Sequence, residues 1–397
     1  MIHQAIRYGA RTLAFALLLT ASRASAMEAV SAAADAAMAQ IASPQAIADY
    51  RRKLAEYQEA RAAFETEASA YWTAISDKRR GRNAKRREHA AIGLDDYVLT
   101  QPPVYGGPKR PVNPEPSAPE QPPRERKYIP LVADLLKAAV EHFQFAPQQP
   151  ANEVEFKRAY ARVAQAAGLT REQAVRVYAF ETGGNGGHDM QSGLEYSRRA
   201  RAISTAIGYN QLLTTNSVEL LAEQGQEFIR ALTQKAAHLS GPPRQAMEHK
   251  IEVLTRMVKL AVSVPDEWSA HEKLGDTPQG WAMHAMVLDI DVGPLLQTHK
   301  LLTSVLFARA KGYSRPLSAA ELEMMNLTGD GTGLDMVTMP QAMREQVPTA
   351  NFFQRSGYER NPVAIRHNTV ARLLDVTDSR MDSNSNLPGA RELAAAF

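Results

Sequence analysis

"FETGGNGGHDM", residues 180–190, sets a carboxylate, Glu181, directly behind an aromatic residue and directly ahead of a glycine-rich break. Upstream, Thr170-Arg-Glu-Gln173 has the form of a capping box, in which the Gln173 side chain answers the Thr170 cap. These two signals frame one short helix that ends at Gly183-Gly184. Within it Ala174, Val177, Tyr178 and Glu181 follow helical spacing along a single stripe, so the acid shares a face with apolar and aromatic side chains. A carboxylate there loses solvation, which disfavours its charged form and raises its pKa toward the range useful to a general acid. The glycines let the backbone turn sharply and leave the acid approachable. A lone Glu at a helix end is more often exposed or paired with an Arg, so a second motif is needed to give it weight.

Working outward, residues 131–378 read as mostly helical. "LVADLLKAAVEHF" is periodic, "EVEFKRAYARVAQAA" is closed by Gly168, and "FIRALTQKAAHL" and "RQAMEHKIEVLTRMVKLAV" read as two helices broken at Gly241-Pro242-Pro243. Residues 27–98 form a long helical, candidate coiled-coil region. Its positions Ala46, Tyr50, Leu54, Tyr57, Ala60, Phe64, Ala68 and Tyr71 lie three or four apart, which predicts one long amphipathic helix. Its end, "DKRRGRNAKRREH", supports two readings: a site for an anionic polymer, or a solvated helix end whose cations face the negative pole of the dipole. Residues 99–130 are a proline-rich linker expected to bury little, and 379–397 read as a flexible C-terminal tail. The predicted fold class is therefore all-α, a helical domain preceded by a long amphipathic N-terminal helix and a proline-rich linker.

Bulk composition narrows the chemistry. Forty-six Lys and Arg stand against 43 Asp and Glu in 397 residues, so any basic surface must be local. There is no Cys, which excludes thiol catalysis, thiolate metal sites and disulfides. No H-E-x-x-H arrangement or G-x-S-x-G elbow occurs, and "TGDGTGLD" lacks the full calcium-loop pattern and reads as a flexible cleft loop. No metal or cofactor is implied, and no nucleic-acid partner. Residues 1–26 carry a basic start, the short apolar run "LAFALLLT" and the A-x-A pattern Ala24-Ser25-Ala26, the form of a secretory signal cleaved near Ala26. The expected location is periplasmic or otherwise secreted, without an integral membrane span.

The second motif is "AIGYNQLL", residues 206–213. Together with "ETGG" at 181–184 it resembles the lysozyme-like lytic transglycosylases, whose all-helical, goose-lysozyme-like domain carries E-S-G-G followed by G-L-M-Q. Gly208 and Gln211 match, while Thr182, Tyr209 and Asn210 stand where the family has Ser, Leu and Met. Two weaker matches follow in order. Ser318-Ala-Ala-Glu321, a capping box, runs into "EMMNLTGDGTG", where Asn326 falls on the Asn of the family's A-Y-N-A-G and Met325 replaces its Tyr; "VPTANFFQ" places Phe352 at the Tyr of a closing E-T-x-x-Y segment.

The resemblance implies a peptidoglycan-cleaving enzyme. Glu181 would be its single catalytic acid and base, with Thr182, Gly208, Tyr209, Gln211, Asn326 and Phe352 around the glycan strand. Tyr209 and Phe352 would stack on the sugar. The missing Tyr at 325 leaves Tyr209, Tyr178 or Tyr358 to supply a hydroxyl near the acid. A hydrolase would need a second carboxylate, and Asp189, Glu195, Asp330 and Asp335 are candidates, each read as a solvated surface acid. The rival reading is a non-catalytic peptidoglycan-binding or envelope scaffold protein, with the N-terminal helix docking a protein partner. An open groove holding Glu181, Gln211 and Asn326 together discriminates between the two.

Overall fold

The computed structural model describes residues 43–114, 127–194 and 202–397. The expected signal segment 1–26, Glu195 and linker positions 115–126 lie outside the described residues. Among those described the chain is all-α, with isolated β-bridges and no sheet, and no helix is long and apolar enough to cross a membrane. Among the described residues, contacts divide the chain into two compact units, one of 43–77, 102–114 and 127, the other of 78–101, 128–194 and 202–397.

In the first unit lies most of helix α1 (Pro44–Arg87). Its less exposed positions Ile47, Tyr50, Leu54, Tyr57, Arg61, Phe64, Ala68, Tyr71 and Ile75 alternate at three and four residues. That is a seven-residue period, which drifts about 20° per heptad around a straight helix, so no single straight stripe runs its length. The proline-rich stretch buries more than expected: the Tyr105 ring sits edge-on to Phe64 at 5.4 Å and to Tyr57 at 6.3 Å, with the Arg61 guanidinium 5.1 Å from its centre.

The second unit contains the C-terminal end of α1, and this consumes much of the basic run. Arg79 donates to the Asn351 and Phe353 carbonyls at 3.0 and 2.9 Å. Arg82, only 1% exposed, donates to Asp335 Oδ2 at 2.9 Å and to the Asp96 carbonyl at 2.9 Å. The boundary expected at residue 131 is therefore corrected: a compact body that includes Lys78–Gln101 satisfies cations that would otherwise be buried unpaired.

The body continues through α2 (Val132–Phe143), α3 (Glu153–Ala166), α4 (Arg171–Glu181), α5 (Thr214–Ala237), α6 (Gly241–Val262), α7 (Trp268–Gly275), α8 (Pro278–His284) and α9 (Gly293–Ala310). After these come α10 (Ala319–Thr328), α11 (Asp330–Thr338), the short α12 (Gln341–Arg344), α13 (Arg355–Glu359) and α14 (Pro362–Arg366), then α15 (Val370–Ser385) and α16 (Pro388–Ala396). One apolar core lies among α2, α5, α6 and α8, a second among α4, α9, α10, α11 and α15, and a third, aromatic one where α3, α4 and α16 meet.

The expected flexible tail at 379–397 is corrected too. Met381, Ala390 and Leu393 are fully buried, and Ala390 N–H donates to the Gly184 carbonyl at 2.9 Å. Pro388 at the first turn of α16 presets the helical φ, and alanines make up much of the rest; small side chains give a weak hydropathy signal yet pack closely.

Candidate active site

Both ends of α4 follow from local sequence. Thr170 Oγ1 accepts from Gln173 N–H at 3.1 Å and the Gln173 side chain accepts from Thr170 N–H at 3.0 Å, closing the capping box. Ala174, Val177 and Tyr178 are fully buried, and Glu181 lies at the end of their stripe. Thr182 then caps the helix, its N–H and hydroxyl both donating to the Tyr178 carbonyl. Gly183 and Gly184 follow at φ of 65° and 79°. Gly184 serves packing rather than access, because a Cβ there would stand 2.4 Å from the Asn384 carbonyl of α15.

Glu181, Gln211 and Asn326 line one open cleft of about 790 Å³. Its walls come from the end of α4, the turn around Gln211, α5, the start of α7, α9, and the junction of α10 with α11. Asn326 Nδ2 donates to Glu181 Oε1 at 3.0 Å. Gln211 adopts a left-handed φ of 44° and turns its amide back to donate to the Gly208 and Met190 carbonyls, at 2.8 and 3.2 Å.

Sequence reading missed two charged neighbours. Glu323 of α10, 3% exposed, lies against Glu181 and Asn326, and its Oε2 atom is buried without a hydrogen-bond partner. Lys300 of α9 faces Glu219, Glu181, Asp330 and Glu323. Burial pushes the Glu181 carboxyl up to about 7, against the opposing charge of Lys300, the contact with Glu323, the charge of Arg380 and the Asn326 amide. Burial, and then the charge of Glu181, hold Glu323 well above the usual carboxylate range. Burial depresses Lys300 in turn. Both carboxyls of the pair are thereby shifted toward their neutral form.

Several expected sugar contacts are corrected. Tyr209 is fully buried; its hydroxyl donates to Glu153, and its ring lies edge-on to Tyr178, Phe156 and Tyr160 at 4.8, 5.2 and 5.4 Å. The aromatic core absorbs this side chain. Gly208, at φ 85°, makes room for Gln297, whose amide would lie 2.1 Å from a Cβ there; Gln297 Oε1 accepts from Asn210 N–H at 2.8 Å. Thr182 is a buried helix cap, and Phe352 is buried 6.0 Å from Tyr97. Tyr178 does not serve the acid, since its hydroxyl donates to the Gly186 carbonyl at 2.8 Å. Tyr358 is hydrogen-bonded to Thr349. The polar partners that hold Glu181 are Asn326 and Glu323.

Of the acids read as solvated, Asp189 is exposed. Asp335 is 6% exposed and pairs with Arg82 and Arg86 while accepting from the Tyr97 hydroxyl at 2.9 Å. Asp330 lines the cleft and accepts from Ser304 Oγ at 2.5 Å. The segment expected to be a flexible loop is instead the start of α11, with Gly329 at φ 83° making the turn. Trp268, 49% exposed at the start of α7, also lines the cleft, and no local motif marked it. No family model, curated protein or solved structure matches this chain.

Proposed function

We propose that the protein is a lytic transglycosylase of lysozyme-like type that cuts peptidoglycan glycan strands, with Glu181 as its single general acid and base. The observation that carries this reading is the convergence of Glu181, Gln211 and Asn326 on one open cleft, where burial raises the acid to about 7. At neutral pH the carboxyl still holds a proton for the glycosidic oxygen. As the C1–O4 bond breaks, that proton goes to the leaving oxygen and the sugar's acetamido group assists at C1. The Glu181 carboxylate then removes the proton of the muramyl 6-hydroxyl, and the new C1–O6 bond closes the anhydro ring. Proton and electron pairs balance without a second protein acid. Glu323 and Asn326 orient Glu181, and the exposed ring of Trp268 offers the sugar an apolar face in place of Tyr209 and Phe352.

Purified peptidoglycan incubated with the protein should release muropeptides two hydrogens and one oxygen lighter than the hydrolysed products, identified by mass. Glu181→Gln keeps shape and hydrogen bonding but lacks the transferable proton, so turnover should fall ~10²-fold or more with the fold retained. Binding of strands without any cleavage product by the wild-type protein would favour the scaffold reading.

A further inference from the structure

We infer that a second groove, lined by the ends of α1 and α9 and by α11, is a binding site for an acyl anion: one long hydrocarbon chain ending in a carboxylate or a phosphate. The groove has a volume of about 800 Å³, much the same as the Glu181 cleft, and shares no described lining residue with it. Its floor is apolar, made by Phe307 of α9, Leu334 of α11, and Met339 and Met343 beyond them. Clefts of this size, with an apolar floor and a few placed polar groups, are the usual form of a small-ligand site. Methionine side chains are unbranched and adaptable, so two of them suit a flexible chain better than a rigid ring.

The rim supplies the charge. Arg86, Arg87 and His89 line it from the end of α1, and Lys311 lines it from the end of α9. Asp335, the carboxylate that lines the groove among the described residues, is already held by Arg82, Arg86 and the Tyr97 hydroxyl. Arg87 and Lys311 are exposed, and neither forms an ion pair with a described residue. Lys311 Nζ stands 5.5 Å from the centre of the Phe307 ring, which sets a charge beside the floor. Each of these cations also meets the negative pole of its own helix, which accounts for its place at a helix end but not for the apolar floor that both adjoin. The stop of α1 is a further observation. Ala90 N–H donates to the Lys85 carbonyl at 2.8 Å and His89 N–H to the Arg86 carbonyl at 3.2 Å, a left-handed helix stop in which His89 takes a φ of 55°. Glycine fits such a position without strain, whereas a histidine there accepts strain and brings an imidazole to the groove. An acyl anion answers both halves of the site: its head pairs with guanidinium and ammonium donors, and its chain leaves water over the floor.

Calorimetric titration of the full chain, with lipids held below micelle formation, tests this. The probes are palmitate, palmitoyl lysophosphatidate, hexadecyltrimethylammonium, which carries a chain of the same length on a cationic head, and inorganic phosphate, which carries no chain. Palmitate or the lysophosphatidate should bind about tenfold or more tightly than the cationic amphiphile and than phosphate, and the tighter of the two assigns the head group. The double variant Arg87→Gln, Lys311→Gln changes exposed positions only; it should weaken the anionic lipids about tenfold or more and leave the cationic one unchanged. Met343→Glu, which sets a like charge on the floor, should remove anionic binding. Each variant is checked by circular dichroism. Failure of both anionic lipids to bind, equal affinity for anionic and cationic chains, or anionic binding that survives the rim and floor changes would overturn the site. Phosphate bound as tightly as the lipids would overturn the acyl ligand. None of these outcomes bears on peptidoglycan cleavage, because the two sites have no described lining residue in common.

Discussion

Asn326 donates its side-chain amide to Glu181 across 145 residues of sequence, at 3.0 Å, so the residue expected on the sugar holds the acid. The bond favours the carboxylate. Removing it in Asn326→Ala should raise the pKa of Glu181 and move the alkaline limb of the activity profile upward, while turnover at the optimum falls ~10-fold through loss of orientation. Lys300→Met should shift that limb further in the same direction, because Lys300 is the strongest of the influences favouring ionised Glu181. An alkaline limb unchanged in both variants would show that the acid is tuned by other groups.

Stability should fall as the pH rises past the carboxyl range. Glu181 has an ordinary value of 4.5 and is raised to about 7 in the folded chain, so between these values the folded state binds more protons than the unfolded one. Its contribution is complete below the unfolded value and is lost as pH climbs through the folded one. In urea titrations from pH 4 to 8 the wild type should lose up to about 3 kcal/mol relative to Glu181→Gln. Parallel stability curves for the two proteins would contradict a raised pKa.

Asp335 belongs to the scaffold rather than the chemistry. Asp335→Asn leaves Arg82 buried beside a neutral partner and weakens the link to Arg86. The expected cost is about 3–5 kcal/mol, read as a lower urea midpoint. Any activity lost should return when assays are run well below the melting temperature. A midpoint within experimental error of wild type would mean that water or backbone replaces the pair.

The two glycines after the acid should respond differently to alanine. Both have positive φ, which strains any side chain by about 1 kcal/mol. Gly183 has open space around it, whereas a Cβ at Gly184 meets the Asn384 carbonyl at 2.4 Å and the Leu387 side chain at 3.1 Å. Gly184→Ala should therefore cost ~2 kcal/mol or more beyond Gly183→Ala and increase hydrogen exchange in α15 and α16. Equal melting temperatures for the two variants would show that these helices yield freely.

What could be read in the sequence was local. The capping boxes at Thr170 and Ser318 are sets of adjacent residues, and both form as expected. Glu181, Gln211 and Asn326 were legible because each sits in a short motif, and the cleft gathers all three. Glu323 and Lys300 were not: in an isolated helix a charged residue reads as exposed, and only the packing of α4, α9 and α10 turns these two inward. Tyr209 failed in the opposite sense. An aromatic beside a catalytic motif invites a stacking role, but its burial is decided by Phe156, Tyr160 and Tyr178 on α3 and α4. The small side chains of α16 carried too little hydropathy to announce a buried helix.

The Arg82–Asp335 pair has a consequence in time. Its partners are 253 positions apart, and Arg79 reaches Asn351 over a separation of 272. A growing chain exposes these arginines long before the residues that neutralise them exist, so the body that holds the cleft cannot close until nearly all of it has been synthesised. The cleft therefore matures late. An excised piece beginning at Tyr128 would leave Asp335 without either arginine, which makes the end of α1 part of the folding unit and a poor place to cut.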